Sequence, residues 1–317
     1  MIDGPTNGKG GELAEQALRD QLARCDAAIA TARPILRGLV ANEDPALFSD
    51  AMIAGVRGMM FDLAAQLLSA QAAAAEVRDH SNFLTEHQEG LAQALSRATD
   101  LLAQAHVVVL EAQFAERLRA RSGADPVLPP LMQQAAAGSD PELAELATAV
   151  LTAQSRFVKQ VSEMKLPLRE LPADLFDQAL GIARQLGGTG MAEAERRLRA
   201  AHDEATSRED FLARFVSRAG EDGADVLSLE RAGLAVFATA LAAATRQPRA
   251  QVMIAFADTQ LVRLALSLRA AGFTQQTMEL HFQLIHPGHS LPLGLEIVPT
   301  DRAAALLSAA DAVEASA

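Results

Sequence analysis

"HFQLIHPGHS", residues 281–290, decides between two folds. It packs three of the chain's seven histidines into nine positions and runs on into "GHSLP", Gly288 to Pro292, the outline of a nucleophile elbow. An elbow needs a strand, then GxSxG in a strained turn, then a helix, so that the serine stands exposed above a sheet. Here the preceding residues carry helical spacing, Pro292 stands where the last glycine belongs, and no stretch reads as a strand. The stretch is therefore read as a helix stop, which disfavours an esterase built on Ser290. His281 lies one turn from Met278, Leu284 and Ile285 and edges the apolar face. His286 falls in the last turn, where exposed carbonyls favour its protonated form, and Pro287 with Gly288 ends the helix. "LPLGLEIVP", 291–299, is expected to continue as an extended apolar segment.

The rest of the chain agrees with helix. Of 317 residues half are apolar, enough for a substantial core, and Trp and Tyr are absent. Leu101, Ala105, Val108, Val109 and Ala112 form one helical stripe, and Leu261, Leu264, Ala265 and Leu268 another. Helix starts are marked by "DPxL" at Asp44, Asp125 and Asp140, where Asp caps and Pro occupies the first helical position. "SRED", Ser207 to Asp210, fits a capping box with Asp in place of Glu. Stops are marked by Arg121 before Gly123, Arg218 before Gly220 and Arg269 before Gly272.

These signals predict helices over 12–33, 45–79, 82–121, 127–137, 141–164, 173–186, 191–205, 208–219, 229–246, 249–257, 259–271, 275–286 and 301–313. The long second and third segments are each open to division in two, and Pro34 should end or kink the first helix. Residues 1–11 read as a flexible tail. "KLPLRELP", 165–172, reads as a linker between an N-terminal helical lobe, 12–164, and a C-terminal helical-repeat lobe, 173–317. The "DPxL" starts show no fixed period, so any repeat is irregular.

The stretch Leu234 to Phe273 resembles the ending of a bacterial family of HEAT-like helical proteins known only as a domain of unknown function. Phe237, Ala240 and Leu241 on one helix, Pro248 starting the next, Asp258 opening a third and Arg269 to Gly272 closing it carry the resemblance. It covers about an eighth of the chain and departs from the pattern at Thr259 and Gln260, where glycines belong. It implies stacked helix pairs and a protein-binding surface. It brings no catalytic residues.

Charge and cysteine content narrow the partners. A net charge of -12, from 28 basic and 40 acidic residues, repels phosphate backbones, so no nucleic-acid partner is expected. The basic runs "ERLRAR", 116–121, and "ERRLRA", 195–200, each hold a Glu and no aromatic ring, and read as solvated helix faces. A lone Cys25, spaced with Leu18, Leu22 and Ile29, reads as buried and fits a reducing compartment. The start lacks a signal-peptide pattern, and the longest uncharged stretches, such as Ala232 to Thr245, fall short of the ~18 apolar residues of a membrane span. A cytoplasmic protein without membrane attachment is the expectation.

Three other chemistries have candidate residues. His281, His286 and His289, with Glu279 or Glu296, are the candidate metal ligands, although His281 and His286 lie ~140° apart around a helix. No Glu stands three residues before any histidine and no HExxH occurs, which weighs against a metalloenzyme. His80 and His87, beside Glu86 and Glu89, loosely resemble the phosphoacceptor helix of histidine-based signalling proteins; a solvated face is the plainer reading. His106, flanked by Leu102, Val109 and Leu110, reads as a buried, hydrogen-bonded histidine. "GGTG", Gly187 to Gly190, follows a helix and has Glu193 where a third glycine would stand, so it reads as a connector and not a phosphate loop.

The sequence thus leads to an all-α, irregular HEAT-like helical repeat in two lobes, acting as a non-enzymatic adaptor or scaffold for a protein partner and holding no cofactor. Its binding surface is expected where Arg246, Arg249, Arg263 and Arg269 border the Ala-rich helix 232–245. The alternatives are a metal-dependent enzyme or metal-responsive regulator using His281, His286 and His289, and a phosphotransfer module.

Overall fold

A computed structural model of the chain describes residues 6–41, 49–221 and 225–314. Every regular element among them is helical, as the sequence predicts. The α-helices are α1 (Thr6–Ala41), α2 (Asp50–Ala74), α3 (His80–Leu95), α4 (Thr99–Ser122), α5 (Pro130–Ala136), α6 (Pro141–Ser162) and α7 (Ala173–Leu186). They continue with α8 (Met191–Ala201), α9 (Arg208–Glu221), α10 (Leu229–Thr245), α11 (Arg249–Ala255), α12 (Leu261–Ala270), α13 (Gln275–Ile285) and α14 (Thr300–Glu314).

Some local signals act as read. Asp140 accepts from the amides of Glu142 and Leu143 with Pro141 in the first turn, which starts α6. Ser207 Oγ accepts from the amide of Asp210 at the start of α9. Gly123, at φ 72°, ends α4 behind Arg119 and Arg121. Others do not. Asp125 accepts from the amides of Val127 and Leu128, but this is a local turn, and α5 begins only at Pro130. α9 runs through Gly220 to Glu221, and Pro34 does not end α1, which continues to Ala41. Of the tail expected over 1–11, residues 6–11 belong to α1, while 1–5 and the Asp44 start lie outside the described residues.

α2 forms the centre. Met59, Met60, Leu63, Ala64 and Leu67 are fully buried along it, each large side chain contributing roughly 1.5–3 kcal/mol by leaving water. α2 is also long and apolar enough to cross a bilayer, although half of its most apolar window is buried within the protein. α3, α4 and α8 pack around it.

Residues 165–172 do not separate two cores. Leu166, Leu168 and Leu171 turn inward and are buried. The two prolines interrupt the helix, but side chains of α2 satisfy the freed backbone: Leu166 N–H donates to Asp62 Oδ2 and Leu168 N–H to Gln66 Oε1, both at 3.0 Å. Helices from the two sides then pack together, α6 on α9, α2 on α8, α5 on α10 and α4 on α11. α1 reaches across to α12 and α14, whereas in an open stack each unit touches only its sequence neighbours.

α10 is broken inside. Gly233 has φ 73° and ψ 167°, a conformation open essentially to glycine alone, and a Cβ there would stand 3.0 Å from Pro129. α10 packs on α5, α9 and α11.

Candidate functional site

The site begins with a carboxylate that has no place in water. Glu111 sits on α4 between Leu110 and Phe114 and is 2% exposed. Two arginines meet it from other helices. Arg249, at the start of α11, makes two hydrogen bonds of 2.8 Å to the two carboxylate oxygens. Arg208, at the start of α9, bonds the same oxygens and gives its Nε to Gln154 Oε1 at 2.7 Å. Arg208 also lies 3.8 Å above the ring of Phe157, and Arg249 Nε reaches Thr239 Oγ1 at 3.0 Å. Desolvation alone would raise the pKa of Glu111; the charges of Arg208 and Arg249 outweigh it and hold the carboxyl at about 2. For Arg249 desolvation pulls the pKa down, and the Glu111 charge overrides it and raises it.

This network ties together the walls of a groove of about 650 Å³ between α9, α10 and α11. Ala213, Ala242 and Ala243 make its small-residue lining, with Thr239 and Arg249 alongside. Arg246, Gln247, Glu209 and Asp210 also line it. Arg246 is exposed, and no carboxylate among the described residues lies within ion-pair distance of it. Gln247 accepts from Ser267 Oγ at 2.9 Å through Oε1, while its Nε2 is shielded from water and makes no hydrogen bond. Asp210 Oδ2 is likewise shielded and without a hydrogen bond; Arg214 Nη1 lies 3.5 Å away.

Of the four arginines expected to form a surface, Arg246 and Arg249 line this groove beside the Ala-rich helix. The other two are spent elsewhere. Arg263 is 1% exposed and pairs with Asp26 of α1, and Arg269 Nε donates to the carbonyl of Val298 at 2.7 Å. Each is drawn inward by a partner distant in sequence.

The histidine stretch is a helix stop in the structure too. α13 ends at Ile285, and His286 N–H closes on the carbonyl of Phe282. The segment after it coils into a single 3-10 turn at Leu295–Ile297 and does not extend. His281 uses both ring nitrogens, Nδ1 toward the carbonyl of Thr277 at 2.8 Å and Nε2 toward the amide of Leu229 at 3.3 Å. Since the amide can only donate, Nε2 accepts and the ring is the neutral Nδ1–H tautomer, stacked on Phe237. His286 is buried with Nδ1 3.1 Å from Asp258 Oδ1. Burial lowers its pKa despite the raising influence of Asp258, so the protonated form expected from the helix end is disfavoured. Its ring lies 6.0 Å from that of His289. Among the described residues no three His, Cys, Asp or Glu side chains converge as metal ligands.

The remaining candidates sit where their neighbours put them. His80 and His87 are exposed on α3, His87 edge-on to Phe83. Cys25 is 8% exposed, and burial raises its thiol pKa. The Gly187–Gly190 connector packs on α2, where Gln71 Nε2 donates to the carbonyls of Gly187 and Thr189.

Glu111, Arg208, Asp210 and Gln247 were not singled out from the sequence as site residues. One signal was there for Glu111: Val107, Val108, Phe114 and Ala115, its neighbours one turn away on α4, are all apolar, so the carboxylate stands on an apolar face. Compared with protein-family models, with curated proteins and with solved structures, the chain matches none of them.

Proposed function

We propose that this protein is a non-enzymatic adaptor whose α9–α10–α11 groove holds an extended segment of a partner protein. The observation that carries the reading is Arg246, an exposed guanidinium with no carboxylate within ion-pair distance among the described residues, on a groove lined by Ala213, Ala242 and Ala243. An extended segment can lie along such a lining with alternate side chains turned toward it. Ala213, Ala242 and Ala243 allow a backbone to come close, and Arg246 selects a segment carrying a carboxylate side chain. The buried Glu111 network keeps the walls in place before any partner arrives, which lowers the ordering cost of binding. The resemblance of residues 234–273 to a HEAT-like family points the same way.

The test is selection of random peptides displayed on phage against the full chain. Enriched sequences should carry Asp or Glu flanked by small residues. They should bind Ala243→Trp at least about tenfold more weakly, and selection on Arg246→Glu should move the preference from acidic to basic side chains. Ala243 is exposed, so the tryptophan fills the groove and not the core. Failure to enrich any sequence, or equal binding to the parent and both variants, would rule the groove out.

A further inference from the structure

A second cleft, with Phe157 in its lining, lies between α2, α4 and α6. We propose that it binds a single-chain amphiphile with a carboxylate head, such as a medium-chain fatty acid. Its volume is about 660 Å³, inside the ~300–1,000 Å³ range of small-molecule sites. Val109, Ala112, Phe157, Val158, Val161 and Met164 line it. Two of these apolar side chains are left uncovered, Val158 at 37% and Met164 at 45% exposure. Met164, at φ 56°, is the left-handed residue that closes α6, with Lys165 N–H returning to the carbonyl of Gln160 at 2.8 Å. Gly58 of α2 makes the room, since a Cβ on it would stand 2.6 Å from Met164 Cβ. Two exposed apolar side chains at the rim of an apolar cleft point to something that covers them.

Charge decides the class of occupant. Glu116 at the rim is engaged by Arg119, whose Nε and Nη2 bond its two oxygens at 2.8 and 2.6 Å. Arg117, which also lines the cleft, lies 4.0 Å from the Phe114 ring centroid and has no carboxylate within ion-pair distance among the described residues. The mouth therefore carries one uncompensated guanidinium beside an apolar interior, the complement of a monoanionic head on a hydrocarbon chain. Among the described residues no second cation lines the cleft to take a doubly charged phosphate. The occupant is a free monomer, since the cleft has the volume of a single small-molecule site.

Isothermal titration of the full chain with octanoate, decanoate and dodecanoate, each below its micelle concentration, tests the assignment. With about 0.8 kcal/mol per buried methylene, affinity should rise roughly fifteen-fold for each added pair. Dodecanoate should bind about tenfold tighter than dodecanol, and Arg117→Gln should abolish that preference. Val158→Asp, at an exposed position, should weaken both by more than tenfold; Met164→Glu is the second such variant, and circular dichroism confirms that each is folded. The proposal fails if no saturable binding occurs, if affinity is indifferent to chain length, or if neither rim variant weakens it. A dodecanoate preference that survives Arg117→Gln would overturn the role of the guanidinium and with it the carboxylate class.

Discussion

Glu111 on α4 and Arg249 on α11, 138 positions apart in the chain, are joined by two parallel hydrogen bonds of 2.8 Å in the interior. With Arg208 on the opposite side, one carboxylate fixes the relative position of three helices. Removing it leaves two guanidiniums without their common counter-charge. Glu111→Ala should therefore cost about 3–5 kcal/mol, read as a lowered midpoint in urea denaturation. Replacing Glu111, Arg208 and Arg249 together by Leu, Met and Met should recover most of that loss. If the triple variant were as unstable as the single one, the damage would come from lost packing and not from unpaired charge.

Glu111 also sets how the protein responds to acid. Its carboxyl titrates at about 2 in the folded chain against an ordinary 4.5, so the stability it contributes is complete above 4.5 and drains away as pH falls toward 2. The shift corresponds to about 3 kcal/mol. Stability measured between pH 5 and 2 should fall more steeply in the parent than in Glu111→Gln. Parallel profiles would mean that the pairing does not hold the carboxylate ionised.

A second acid-sensitive window lies higher. Desolvation lowers the pKa of His106 on α4 from 6.5 to about 4. The unfolded chain takes up the proton first, so stability is full above 6.5 and declines as pH falls from 6.5 to about 4. His286 acts in the same direction, since burial depresses it too. His106→Gln should flatten part of this slope and His286→Gln a further part. NMR titration of the His106 ring should give a midpoint near 4; a midpoint near 6.5 would mean that the ring is solvated.

The helical class was legible because its signals are local. Asp140 followed by Pro141, or Gly123 after Arg121, acts through hydrogen bonds and dihedral angles within a few residues. Asp125 and Gly220 carry the same letters and were misread, since neighbouring packing decides whether a cap or a stop is used. Residues 165–172 showed a helix break in their prolines. Nothing nearby showed that Asp62 and Gln66, about a hundred positions earlier, would satisfy that backbone and bury its leucines. Arg246 and Arg249 could be placed in one groove because they are three residues apart at a helix boundary. Arg263 could not be excluded from it, because its partner Asp26 is 237 positions away. Position along a helix is written in the sequence; pairing across the interior is not.

Gly233 offers the sharpest local test of how the groove is formed. Its φ of 73° and ψ of 167° are closed to side chains, and an added methyl would stand 3.0 Å from Pro129 Cβ and Cγ. Gly233→Ala should destabilise the chain by about 1–3 kcal/mol, read as a lower melting temperature. Pro129→Ala should relieve only the steric part, because the backbone strain is independent of the neighbour. If Gly233→Ala melted with the parent, α10 would have continued as a straight helix there, and the Ala-rich half that lines the groove would point elsewhere.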